Sequence, residues 1–162
     1  MPAPCTNLTF HIKCQCSLIF ISNPQICTNM CIFCSIVARK IPSETVYEDE
    51  HVLAFLDIMP SAPGHCVVIP KHHAALVHEL PPASAAALGA ALAKVSGALV
   101  KAMDCPCYNI VNNSGPEAGQ EVPHVHFHII PRKSGDGLGY KFSPHKEEAL
   151  AEVAARIRDC ME

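Results

Sequence analysis

The sequence has no tryptophan, and aromatic residues make up only 6 % of its 162 positions, so a core must be built from aliphatic and small side chains. Charged residues are sparse too, at 17 %, with a formal net charge of −3. That balance excludes a nucleic-acid binder working by bulk electrostatics. No run of about 18 apolar residues is present, which argues against a membrane-spanning helix. Internal repeats and long charged tails are missing. The first 29 residues hold one charged side chain, Lys13, and show no periodicity. Their best apolar stretch, Leu18–Ile21, is too short for a secretory signal, and they are neither Arg-rich nor amphipathic like a transit peptide.

Against these absences stand ten Cys and ten His. Cys5, Cys14, Cys16 and Cys27 lie in the first 29 residues; the other six are dispersed through a body long enough to form a core without cross-links. This favours a reducing compartment, cytoplasmic or also nuclear and not secreted, with cysteines serving as small buried hydrophobes or metal ligands. Residues 1–29 are read as an N-terminal extension outside the fold, and residues 30–162 as one domain beginning at Met30. The expectation is that the extension reflects an upstream start codon chosen in place of Met30. Mass spectrometry that finds an intact N-terminus at Met1 in the native protein would overturn that account.

Patterning places a short helix at 31–39, strands at Thr45–Glu48 and His51–Asp57, and a strand at Gly64–Pro70 after the turn Ser61-Ala62-Pro63-Gly64. Pro81-Pro82 opens a long helix, Ala83–Met103, whose Ala85, Leu88, Leu92, Val95, Leu99 and Met103 fall on one face. Tyr108–Asn112 reads as a strand, Asn113–Gln120 as a loop, His124–Pro131 as the last strand, and Lys146–Met161 as an amphipathic helix. Hairpin-like strands with two substantial helices give an α+β class with a mainly antiparallel sheet.

The chemistry concentrates in His124-Val125-His126-Phe127-His128-Ile129-Ile130. In a strand, Val125, Phe127 and Ile129 share the core face, while His124, His126 and His128 share the other, about 7 Å apart in sequence. Three alternating imidazoles on an open face have two functional readings. One is a metal site. The other is a nucleophilic histidine whose neighbours bind or orient, with backbone donors from the Gly115–Gln120 loop beside a phosphoryl group.

This segment resembles the signature of the histidine triad (HIT) family of nucleotide hydrolases and transferases. So do Gly119–Pro123, Pro131-Arg132, Cys31–Ile36, Asp57–Pro60, Gly64-His65 and Val68–His73, in the expected order. The resemblance covers about residues 30–142. It implies a HIT-like fold with about five strands, one long central helix and a C-terminal helix. His126 is then the nucleophile that takes the nucleoside monophosphoryl group, assisted by His124. His128 and His65 contact the phosphate or the leaving group. Asn113 and the amides of Gly119 and Gln120 hold phosphoryl oxygens, and Asp57 binds the ribose hydroxyls. Ile32, Phe33, Ile36, Phe55 and Ile58 form a slot for a purine base, with core packing as their plainer role.

The family's branches differ in substrate. Asn113, the Cys31/Cys34 pair and the Asp57-Ile58 context look like the branch that cleaves purine nucleoside phosphoramidates. The loop Gly115–Gln120 and the tail Pro131–Asp136 look like the branch that cleaves dinucleoside polyphosphates. Glu121 stands where the phosphoramidase branch often has Ser, which leaves open how the departing amine is protonated. Two readings stand beside the phosphoramidase: a nucleotide-binding regulator with incidental turnover, and a metal protein using all three histidines. Relatives with the cysteine pair imply a structural zinc held by Cys31, Cys34, His73 and His124, with His51 and His72 competing for the role of His73 and free thiols as the alternative. The family also implies a homodimer through the long helix and a sheet edge, while the charge balance and the lack of a long apolar run point to no nucleic-acid and no membrane partner.

Overall fold

The computed structural model describes residues 31–139 and 150–161. The extension 1–29 and positions 146–149 of the expected last helix lie outside them. In chain order the elements are α1 (Ile32–Val37), β1 (Thr45–Glu48), β2 (Val52–Leu56), β3 (Cys66–Pro70), α2 (Pro82–Ala102), β4 (Cys107–Val111), β5 (Phe127–Arg132) and α3 (Leu150–Asp159). The five strands form one sheet in the order β1-β2-β3-β5-β4, antiparallel at every pairing. The α+β class is as the sequence predicts.

The β1–β2 turn is set by Asp49. Its carboxylate accepts the backbone N–H groups of His51 (2.8 Å) and Val52 (2.7 Å) and the Tyr47 hydroxyl (2.6 Å). These donors hold the Asp49 carboxyl below its ordinary range.

Strands β2 and β3 are almost continuously buried because the sheet is covered on both faces. Val52, Ala54, Cys66 and Val68 pack with Leu88, Val95 and Leu99 of α2. The alternate residues Leu53, Phe55, Val67 and Ile69 pack with Ile36, Phe33 and Val37 of α1. The inner face of α2 is Ser84, Leu88, Ala91, Val95, Ser96 and Leu99, whereas Ala85 is exposed and Leu92 and Met103 are half-buried. The expected stripe is largely the one in contact, since Leu88, Leu92, Val95, Leu99 and Met103 all pack in or against this core; Ala85 alone of it is exposed, and Ser84, Ala91 and Ser96 join the buried face.

By length and composition alone α2 is long and apolar enough to cross a membrane, a property that core helices share, and its Leu88, Val95 and Leu99 pack against the sheet. Much of that apolarity is alanine, interrupted by Ser, Gly and Lys94.

Gly64 shapes the entry to β3. Its φ is +83°, and a Cβ there would lie 2.8 Å from Met103 Cγ, so the close approach of the helix end requires glycine.

The last strand begins at Phe127, not at His124. Before it, the Val125 N–H donates to the Ala74 carbonyl (2.8 Å) and the His124 N–H to the Val122 carbonyl (2.8 Å), so the chain pairs with the 71–76 connection instead of β3. The expected open face of three histidines is corrected accordingly: His124 is completely buried and His126 nearly so.

Candidate active site

Register places the site on the α1 face of the sheet. His128 lies opposite Val67, which packs toward α1, while Phe127 lies opposite Val68 of the α2 face. A cleft of about 410 Å³ opens there. It is lined by Ile32, Phe33, Ile36, Phe55, Asp57 and Ile58, by His65, His126 and His128, and by Asn113, Gly119 and Glu121. The structure thus gathers these sequence-predicted residues into one concavity. The Phe33 ring bridges its parts, with centroids 5.8 Å from Phe55 and 5.2 Å from His126.

Backbone groups fix the protons on the imidazoles. His126 Nδ1 lies 2.7 Å from its own neighbour's carbonyl, that of His124. A carbonyl only accepts, so Nδ1 carries the proton and the lone pair resides on Nε2. The Asn112 side chain donates to the His126 carbonyl (2.8 Å), holding the same segment from the other side. The Ser61 N–H donates to His65 Nδ1 (3.1 Å), which places the proton of neutral His65 on Nε2. That Nε2–H meets His128 Nδ1 at 2.9 Å, so His128 in turn presents an Nε2–H donor. Asp57 Oδ2 is 3.6 Å from both His65 Nε2 and His128 Nδ1. Burial, then the neighbouring imidazoles, push His128 down to about 4. Burial lowers His65 as well, against the opposing pull of Asp57. Both rings are therefore neutral at pH 7.

His124 belongs to a different cluster. Its Nε2 donates to the Pro70 carbonyl (2.9 Å), which turns the Nδ1 lone pair toward Cys31 Sγ (3.5 Å), Cys34 Sγ (3.6 Å) and His73 Nδ1 (3.2 Å). His73 Nδ1 also lies 3.3 Å from Cys34 Sγ. The four donor atoms lie within 4.8 Å of one another. A tetrahedral zinc with ordinary Zn–N and Zn–S bonds separates its ligands by roughly 3.3 Å (N to N) and 3.6 Å (S to N), so the donor set fits that ion. The carbonyl of Pro70 supplies the outer hydrogen bond typical of a ligating histidine. Burial pushes His124 down to about 4, favouring the neutral form that can ligate. No disulfide joins the six described cysteines. The reading in which all three triad histidines bind one metal is corrected: His126 and His128 turn away from this cluster into the cleft.

Two further expectations need correction. The Gly119 N–H donates to the Pro116 carbonyl (2.9 Å) and the Gln120 N–H to the Gly115 carbonyl (3.1 Å). Both amides are occupied inside the loop, rather than presented to a phosphoryl group. The Gln120 side chain is a brace: Oε1 accepts from the Gly115 N–H (2.7 Å), and Nε2 donates to the Ala75 carbonyl (2.8 Å). Asn113 Nδ2 spans to the Gly119 carbonyl (3.3 Å). In the base slot, Ile36 and Phe55 are buried, while Ile32 is 44 % and Ile58 92 % exposed, so Ile58 edges the cleft rather than flooring it. Sequence reasoning missed Asn112, whose only signal was its place at the strand end, and Ser61, whose contribution is a backbone group.

Comparison with known proteins agrees with this geometry. A family model described as the HIT domain matches residues 38–135. An uncharacterized HIT-like protein of Methanocaldococcus jannaschii is 50 % identical over 129 residues, spanning 80 % of this chain and 99 % of its own. An adenosine 5'-monophosphoramidase of Schizosaccharomyces pombe is 44 % identical over 135 residues, 79 % of this chain and 98 % of its own. Among solved structures, a zinc-bound histidine triad family protein from Mycobacterium smegmatis superposes with a TM-score of 0.64 at 36 % identity, covering 82 % of this chain and 98 % of that one.

Proposed function

Since the chain belongs to the HIT family and is a nucleotide hydrolase of that type, we propose that its substrate is a purine nucleoside 5'-phosphoramidate. The observation that carries the reading is the His126 Nδ1–H bound to the His124 carbonyl at 2.7 Å, which leaves the lone pair on Nε2 of a residue that lines the cleft. Attack by that nitrogen on the phosphorus forms a P–N bond to His126 as the bond to the amine breaks, and the departing amine nitrogen takes a proton from water. Water then cleaves the nucleotidyl-His126 intermediate, releasing the nucleoside monophosphate and restoring Nε2. The His128 Nε2–H donates to a phosphoryl oxygen in both steps. His65 holds His128 in the donor tautomer. The base lies against Phe33, Ile36 and Phe55, with Asp57 and Asn113 at the sugar and phosphate. Relatives named as adenosine 5'-monophosphoramidases support this choice over dinucleoside polyphosphates.

Zinc at Cys31, Cys34, His73 and His124 is part of the same proposal, supported by the donor geometry and by the zinc-bound relative. Its contribution when bound is structural: it ties α1 to the segment that carries His126. A symmetric dimer is proposed through α2 and the open edge of β4, where Tyr108 and Ile110 are exposed.

The deciding assay sets an AMP phosphoramidate against diadenosine tri- and tetraphosphate, with wild-type and His126→Ala protein. Preferred phosphoramidate turnover that vanishes in the variant supports the reading. Preferred turnover of the dinucleotides overturns it.

A further inference from the structure

Among the described residues lining the cleft there are two carboxylates, Asp57 and Glu121, and neither Lys nor Arg. Asp57 is accounted for, 3.6 Å from both His65 and His128. Glu121 is exposed on the wall that also holds Asn113 and Gly119. Glu121 belongs to the loop between β4 and β5, which also brings Asn113 and Gly119 to the cleft, whereas Phe33 and Phe55 of the base slot come from α1 and β2. With the base against Phe33 and Phe55 and phosphorus at His126, the departing group lies on the Glu121 side. It meets a negative charge there, with no Lys or Arg among the described residues that line the cleft.

We propose that Glu121 selects the departing group by charge, so that the site takes nucleoside 5'-phosphoramidates whose amine bears a further cationic group and disfavours anionic departing groups. The proposal rests on the phosphoramidase reading. The reaction is unchanged by it: the P–N bond to the amine breaks as the bond to His126 Nε2 forms, the amine nitrogen takes its proton from water, and hydrolysis regenerates His126. Glu121 exchanges no bond and acts through its charge. A unit charge roughly 6 Å away across water-like dielectric changes binding about threefold, so cationic and anionic partners should differ by about tenfold. Salt should weaken the difference.

The test uses three AMP phosphoramidates of one alkyl length, ending in an ammonium, a methyl or a carboxylate, with wild-type, Glu121→Gln and Glu121→Lys protein. Wild type is expected to favour the ammonium over the carboxylate substrate by about tenfold in kcat/KM at low salt, mainly through KM. The ratio should shrink at about 0.5 M salt, approach unity in Glu121→Gln and invert in Glu121→Lys. An unchanged ratio in both variants overturns the proposal, as does an equal loss on all three substrates, which would give Glu121 a role in proton transfer or structure. No turnover of any substrate by wild-type protein overturns the phosphoramidase reading itself, and this proposal with it.

Discussion

His65 Nε2 and His128 Nδ1 are joined by a 2.9 Å hydrogen bond whose direction is dictated from outside the pair, by the Ser61 N–H on the far nitrogen of His65. The arrangement makes a donor of the outer nitrogen of His128 without charging either ring. Replacing His65 by Ala removes the partner that orients His128. The expected outcome is a kcat lowered by about tenfold or more, with nucleotide affinity changed less. His65→Asn, which keeps a donor near that position, should recover part of the loss in single-turnover assays.

His126 carries the covalent step. Its replacement by Ala is expected to lower phosphoramidate turnover by about three orders of magnitude or more. AMP binding, measured calorimetrically, should persist because the base slot is intact. A variant that retains ordinary turnover would place the nucleophile elsewhere.

Acid should destabilise the fold through His65 and His128. The unfolded chain takes up protons near pH 6.5, while folded His128 resists until about 4. Between those values the unfolded state binds more protons, so stability falls as pH falls through that window. Thermal unfolding from pH 7.5 to 4.5 checks this: Tm should decline below about pH 6.5, and His128→Asn should flatten the slope.

Metal analysis of protein purified without a histidine tag is expected to give one zinc per chain, bound by Cys31, Cys34, His73 and His124. Chelation, or Cys34→Ser, should lower Tm by about 10 °C or more, while Cys160→Ser at an exposed site should not. A zinc content far below one per chain would reject the site.

Gly64→Ala introduces both a φ of +83° in a residue with a Cβ and a 2.8 Å approach to Met103. A cost of about 2 kcal/mol is expected, readable by denaturant unfolding. Met103→Ala in the same chain should relieve the steric part and leave the backbone part.

The sequence made most of this architecture legible where pattern is local. The apolar runs of β2 and β3, the alternation through His124–Ile130, the Pro81-Pro82 opening of α2 and the order of the histidine-rich motifs all act over a few residues. What it concealed was tertiary. The start of β5 at Phe127 depends on Val125 pairing with Ala74, 51 positions away. The roles of Gln120 as a brace and of the loop amides as internal donors depend on which carbonyls fold back to meet them. His124 looked like a member of a row until Pro70 and the cysteines of α1 claimed its two nitrogens.

Strands β2 and β3 present one set of residues to α2 and the interleaved set to α1 and the cleft. Two different genetic selections would therefore read the same strands as two combs with offset teeth. A search for heat-resistant variants should return positions 52, 54, 66 and 68, whereas a search for altered nucleotide preference should return 55 and 67. Robustness and specificity can be tuned on this scaffold one residue apart, with little interference between them.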